Sequence, residues 1–349
     1  MLKIIKSRIL LPVVVAGAGV VCMAGDVNPS SGLFLAPTPV LSRSLFLDAT
    51  AAHGVMAIVG ERGQVLIAET GGPWQLVTAP VDVTLTSVYF HDGMLGWAAG
   101  HDAVIMKTTD GGRHWRQVYS DPDRDSPVLD IWFADSTHGI AIGAYGLYLV
   151  TTNGGESWIK DELHIINSNA QEGPVTNTAG TARFEADEQF DRHLNSIAAA
   201  ESGKLYIAAE GGHLYRSDDS GLSWRELPSP YHGSWFGVLP VGQESLLVFG
   251  LRGHLFRSDD AGNSWQAIAT HTNETLTAGV RLRDGSIVIT GMDGVVLCSR
   301  DQGRTFAFKE LPSRHGYAAV LEAGPDRLTF AGDHGLETWH RNDIGLGHD

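Results

Sequence analysis

The chain has 349 residues, of which 25 are basic and 40 acidic, for a formal charge of −15, and it carries 42 glycines. A surface this acidic repels nucleic acid and anionic lipid, which argues against a DNA- or RNA-binding role. The length suits one closed repeat domain rather than two ordinary ones, and the glycine content points to many tight turns.

Residues 1–24 read as a leader. MLKIIKSR is a basic start, ILLPVVVAGAGVV an apolar run, and Cys22-Met23-Ala24 puts small residues at the cleavage-determining positions before Gly25. The run is short and glycine-rich for a membrane span. Export to the periplasm or beyond is therefore expected, with direct membrane contact only if Cys22 is lipidated; Val21 stands where a lipobox favours a small residue. Cys298 is then the single remaining cysteine, set in the apolar run VVLCS as a packed core thiol with no disulfide partner. No CxxC, HExxH, P-loop or Gly-x-Ser-x-Gly occurs, and no cofactor is expected.

Seven copies of one pattern follow. A strand ending in small residues, a short turn and a second apolar strand recur as VGERGQVLIAET, AGHDAVIMKTTD, GAYGLYLVTTN, AEGGHLYRSDD, GLRGHLFRSDD, GMDGVVLCSRD and GDHGLETW. The aligned positions are Gly63, Ala103, Gly146, Gly212, Gly253, Gly294 and Gly335, spaced 40 to 43 residues apart except for one step of 66. Five copies run on into Ser/Thr-x-Asp-x-Gly-x-x-Trp: TTDGGRHW, TTNGGESW, SDDSGLSW, SDDAGNSW and, with Phe, SRDQGRTF. The first copy has a degenerate box, ETGGPW, and the last has none. A turn and an aromatic in every unit, at a period near 41, mark a solenoid or propeller. Short apolar runs bounded by Gly, Asp and Ser give four strands per unit. The expected fold is all-β: a seven-bladed β-propeller with four-stranded antiparallel blades and Asp-box turns, forming one domain over 25–349. The apolar stretch from Leu33 to Phe46 is expected to supply a strand closing the ring with the last unit.

Each box has a structural task. Asp110, Asn153, Asp219, Asp260 and Asp301 are expected to accept backbone N–H bonds from two residues on. Gly112, Gly155, Gly221, Gly262 and Gly303 supply a positive φ, and the aromatic buries its face between blades. Five copies of one carboxylate spread around a ring have no catalytic logic. The long step places a polar insertion within 160–192, either a surface loop or one that contacts a partner.

The pattern, as in AAGHDAVIMKTTDGGRHW and FGLRGHLFRSDDAGNSW, resembles the photosystem II stability/assembly factor family over nearly the whole mature chain. That resemblance implies a seven-bladed propeller that is not an enzyme and that binds a membrane-protein client. In photosynthetic members arginines on one face engage the client; bacteria without photosynthesis carry relatives that look like periplasmic partners of membrane complexes or transporters. Here the comparable turns hold Arg62 and Arg252 but also Asp102, Tyr145, Asp293 and His334, a departure that speaks against photosystem binding. The expected function is a monomeric, exported assembly factor or interaction scaffold for a membrane-protein complex or transporter component. The alternative is an Asp-box glycoside hydrolase, sialidase-like, acting on carbohydrate. That chemistry needs an arginine cluster, a Tyr nucleophile with a Glu partner and an Asp acid/base, and it normally comes with a Phe/Tyr-Arg-Ile-Pro motif absent here.

In a propeller the boxes occupy the turns between strands 3 and 4. The opposite face collects the 2–3 turns, the connections entering each strand 1, and by this reading the insertion. The expected partner contacts there are Arg62, Tyr145, Arg252, His232, His271 and His315. The recurring histidines, with His193, His101 and His334, are open to three readings: solvated turns, polar contacts to a peptide or protein, or a metal site needing ligands from several blades. No metal is assigned.

Overall fold

The computed structural model describes residues 34–36, 38–123, 125–166 and 192–347. The leader, Cys22 and most of the 160–192 insertion lie outside the described residues. Seven antiparallel sheets follow one another along the chain. The second blade shows the plan: Leu85–Phe90, Gly96–Gly100, Ile105–Thr108 and Arg116–Tyr119 pair in sequence order. The first strands form the inner ring, and Phe46–Ala52 packs on both Leu85–Phe90 and Tyr317–Gly324, so the ring closes. Five of the second strands, such as Gly139–Gly143 and Ile287–Gly291, are buried at every position. A strand sandwiched between two blades has no solvent face, which is why these segments read as unbroken small or apolar runs.

The core is accordingly seven inter-blade layers. Trp115, Trp158, Trp224, Trp265 and Phe306 each enter the layer shared with the preceding blade. The box glycines have the expected positive φ, from 74° at Gly155 to 91° at Gly221. They also face the previous blade closely: a Cβ on Gly221 would lie 2.3 Å from Ile140 Cδ1. The hydrogen bonding differs from expectation. The box carboxylate accepts the N–H four residues on, not two, as with Asp219 from Ser223 at 2.9 Å and Asp260 from Ser264 at 2.8 Å. The Ser or Thr at the box start accepts the glycine N–H, Ser258 from Gly262 at 2.8 Å. Two consecutive left-handed residues make the loop one residue wider than a simple Asx turn, moving the nearest free donor further along.

Blades 2 to 6 have four strands, whereas the last has three and the first has five. The N-terminal segment does not complete the last blade. Phe34–Leu35 pairs with Gln75–Val77 of blade 1, and Thr38–Arg43 forms a short helix against Gly335–His340. Pro39 suits a first helical turn and cannot donate to a ladder, which disfavours a strand here. No helix among the described residues is long and apolar enough to cross a membrane.

Candidate functional site: the face of the 2–3 turns

Six of the seven 2–3 turns place the residue before the aligned Gly or Ala in the left-handed region: Arg62, Asp102, Tyr145, Gly211, Arg252 and Asp293, with φ between 54° and 69°. The next position is a glycine in five of these six turns, because the following connection runs directly against it. A Cβ on Gly212 would lie 2.2 Å from the Tyr231 carbonyl oxygen, and one on Gly253 2.2 Å from that of Thr272. Gly146 N–H donates to Arg192 O at 2.8 Å and Gly294 N–H to His315 O at 2.7 Å. Turn and connection are thus joined side by side on one face, which brings some of the expected residues near histidines of the following connection. Tyr145 packs edge-on against His193 at 5.0 Å. His271 lies beside the Arg252 turn and His232 beside the Gly211 turn. Arg62, Tyr145, Arg252, His232 and His271 are exposed, and neither arginine has an ion-pair partner among the described residues.

His315 is different. It is half-buried, with Nδ1 2.5 Å from Glu337 Oε1 and its ring stacked on His334 at 4.1 Å. Glu337 Oε2 also accepts from Tyr317 at 2.8 Å, Ser313 at 3.1 Å and Trp339 at 3.1 Å. Burial pushes the Glu337 carboxyl up, but these donors outweigh it and hold it below the ordinary range. Tyr317 is fully buried, so this Tyr–Glu pair ties blade 7 together and offers no nucleophile to a glycan. No three His, Cys, Asp or Glu side chains among the described residues are placed to hold a metal.

The insertion leaves the blades elsewhere than expected. Ile166 N–H bonds to Trp224 O at 2.8 Å, beside the box of blade 4, and the chain returns at Arg192 on the 2–3 turn face. Its ends therefore sit at different places on the propeller, not both on the face opposite the boxes.

Two features escaped the sequence reading. Asp48 and Asp130 occupy the bulge position of inner strands and accept N–H bonds from the next blade, from Val88 at 2.7 Å and Ile197 at 2.8 Å. Burial, and for Asp48 also the charge of Asp130, raises them to about 7 and about 6. A lone Asp inside the apolar runs FLDATAA and VLDIWF was the available signal. The buried strand-3 arginines Arg216 and Arg257 reach the next blade's box, donating to Ala261 O and Gln302 O. They were visible as the Arg in LYRSDD and LFRSDD.

A family model described as Photosynthesis system II assembly factor YCF48 matches residues 118–289. The structure of YCF48 bound to a D1 peptide superposes with a TM-score of 0.63 at 18% identity, covering 88% of this chain and 98% of that one. YCF48 from Cyanidioschyzon merolae gives 0.64 at 15% identity, with the same coverages of 88% and 98%. Over residues 118–289 the chain resembles the photosystem II assembly factor family, and it shares the propeller fold of YCF48. The WD40 propeller domain of Doa1 also superposes, with a TM-score of 0.61 at 15% identity over 84% of this chain and 92% of that one, which shows the shared fold alone. No curated protein matches the sequence.

Proposed function

We propose that the protein is a non-catalytic, exported assembly or accessory factor that holds a segment of a membrane-protein client, a transporter component among the candidates, on its 2–3 turn face. The observation that carries this reading is the placement of Arg62, Tyr145 and Arg252. Each is an exposed, non-glycine residue in a left-handed conformation that blade 4 fills with Gly211. Such a conformation is strained for a side-chain-bearing residue, and strain of this kind gathers at functional positions. Two arginines without ion pairs among the described residues, on a chain of net charge −15, are locally distinctive anchors for a partner. A YCF48 structure holding a D1 peptide supports peptide capture by a propeller of this kind.

The test is crosslinking capture from membranes with the mature protein and an Arg62→Ala/Arg252→Ala variant. The variant should keep the wild-type melting temperature and lose client recovery by about tenfold. Normal recovery by the variant would refute the assignment of this face. Export is tested separately by mass spectrometry: an N-terminus at Gly25 means release, a diacylated Cys22 a lipoprotein, and an intact Met1 in the cytoplasm neither.

A further inference from the structure

On the box side, blades 3 and 4 enclose a cavity of about 650 Å³. Trp132, Ile140 and Val150 of blade 3 face Leu222 of the blade 4 box across it. The walls are fixed to each other. Tyr148 donates to Gly221 O at 3.0 Å and accepts from Trp224 Nε1 at 3.1 Å, while Trp224 N–H bonds to His164 O at 2.8 Å. Around this apolar floor stand Asp135, Asp161 and Asp219, and no Lys or Arg among the described residues lines the cavity. The two rim histidines, His138 and His164, are turned to Asp135 at 2.9 Å and Asp161 at 3.2 Å.

Exposed aliphatic side chains lie in or next to this lining. Leu222 of the lining is 77% exposed, Ile159, paired with the lining residue Val150, 65%, and Ile166, bonded to Trp224 O, 51%. Apolar surface left open in a cluster marks a contact site more than scattered leucines do. The equivalent cleft between blades 1 and 2 is smaller, about 310 Å³, and its lining mixes Glu69 with Arg113. The cleft between blades 3 and 4 differs from that one in both volume and charge.

We propose that this cavity binds an aliphatic or aromatic side chain of a peptide flanked by lysine or arginine. The volume lies in the range of side-chain and small-ligand pockets. The apolar floor supplies burial, and three carboxylates with no opposing cation select basic neighbours. The site is separate from the 2–3 turn face and stands whether or not that face binds a client.

The test titrates the full mature chain with fluorescein-labelled acetyl-Lys-Leu-Phe-Lys-amide. Controls are the Glu-flanked analogue and an all-Lys tetrapeptide. Leu222→Ser should weaken binding about tenfold, and Asp161→Asn about threefold with a shallower salt dependence. Both side chains are solvent-facing, and an unchanged circular dichroism spectrum and melting temperature confirm the fold. Arg62→Ala/Arg252→Ala should bind the probe as wild type does, which separates this site from the other face. Equal binding of the Glu-flanked or all-Lys peptide, unchanged affinity in both variants, or no binding at millimolar probe would each overturn the proposal.

Discussion

Asp48 of blade 1 accepts the backbone N–H of Val88 in blade 2 at 2.7 Å, one inner strand held to the next by a buried carboxylate. The same device recurs two blades on, where Asp130 accepts Ile197 N–H at 2.8 Å. Thr86, Asn195 and Thr277 continue it by donating to the carbonyls of Val128, Trp235 and Tyr317. The carboxylates replace strand-to-strand ladder bonds that blades in a propeller cannot make, and their burial gives the ring a pH dependence.

Asp48 and Asp130 titrate near 7 and 6 when folded, against an ordinary 3.8. The folded chain therefore binds more protons than the unfolded one across that window. The pair's contribution is fully present below the ordinary value and is lost as pH rises through 6 and 7. Asp48→Asn keeps an acceptor for Val88 and removes the buried charge. It should be more stable than wild type at pH 8, by about 2 kcal/mol, and close to it at pH 5. Thermal melts across pH check this; a variant with the wild-type pH slope would refute it.

The boxes act in the opposite direction. Partial burial pushes Asp219, Asp260 and Asp301 up, yet bonds from the hydroxyl and N–H four residues on bring all three below the ordinary range, Asp301 to about 2. Their stabilisation is present above the ordinary carboxylate pKa and lost as pH falls through the depressed values. Wild-type melting temperature should therefore peak at mildly acidic pH, between the two limbs.

Within a box, Asp260→Ala should lower stability by about 1–2 kcal/mol in urea unfolding. Asp260→Asn should cost much less. Asn153 already fills that place in blade 3, its Oδ1 accepting Ser157 N–H at 3.1 Å and the Thr151 hydroxyl at 2.9 Å.

Arg252→Gly separates stability from recognition. Its φ of 57° is unfavourable for arginine and easy for glycine, as in the equivalent Gly211. Relief of that strain, less the extra freedom of an unfolded glycine, should leave stability unchanged or raised by up to about 1 kcal/mol. Client capture should fall all the same. A variant less stable by more than about 1 kcal/mol would mean that the arginine packs rather than waits for a partner.

Arg257 is 3% exposed and bridges Asp259 of its own blade to Gln302 O of the next box. Arg257→Met retains the stem and loses the bridge, and should cost about 2 kcal/mol. Calorimetry that finds it neutral would show that the buried guanidinium bond contributes nothing net.

The sequence by itself determined the propeller, the number of blades, the box turns and the face on which the 2–3 turns lie. Each of these is local: a glycine that needs positive φ, an aromatic at fixed offset or a strand buried on both sides writes its requirement into the residues of its own repeat. The tertiary structure decided what depends on a neighbour. Asp48 and Asp130 are intelligible only beside the N–H groups of the following blade, and the role of Arg257 only beside Gln302. The cavity beside Leu222 is lined from two blades that Tyr148 joins through Gly221 O, a pairing no single repeat records. The same holds for residues 34–35, which pair with Gln75–Val77 beside the helix Thr38–Arg43 and so add a strand to the first blade, not the last. His315 shows why residue type alone is a weak guide to a site, since only the structure reveals that this expected contact residue is half-buried and held by Glu337.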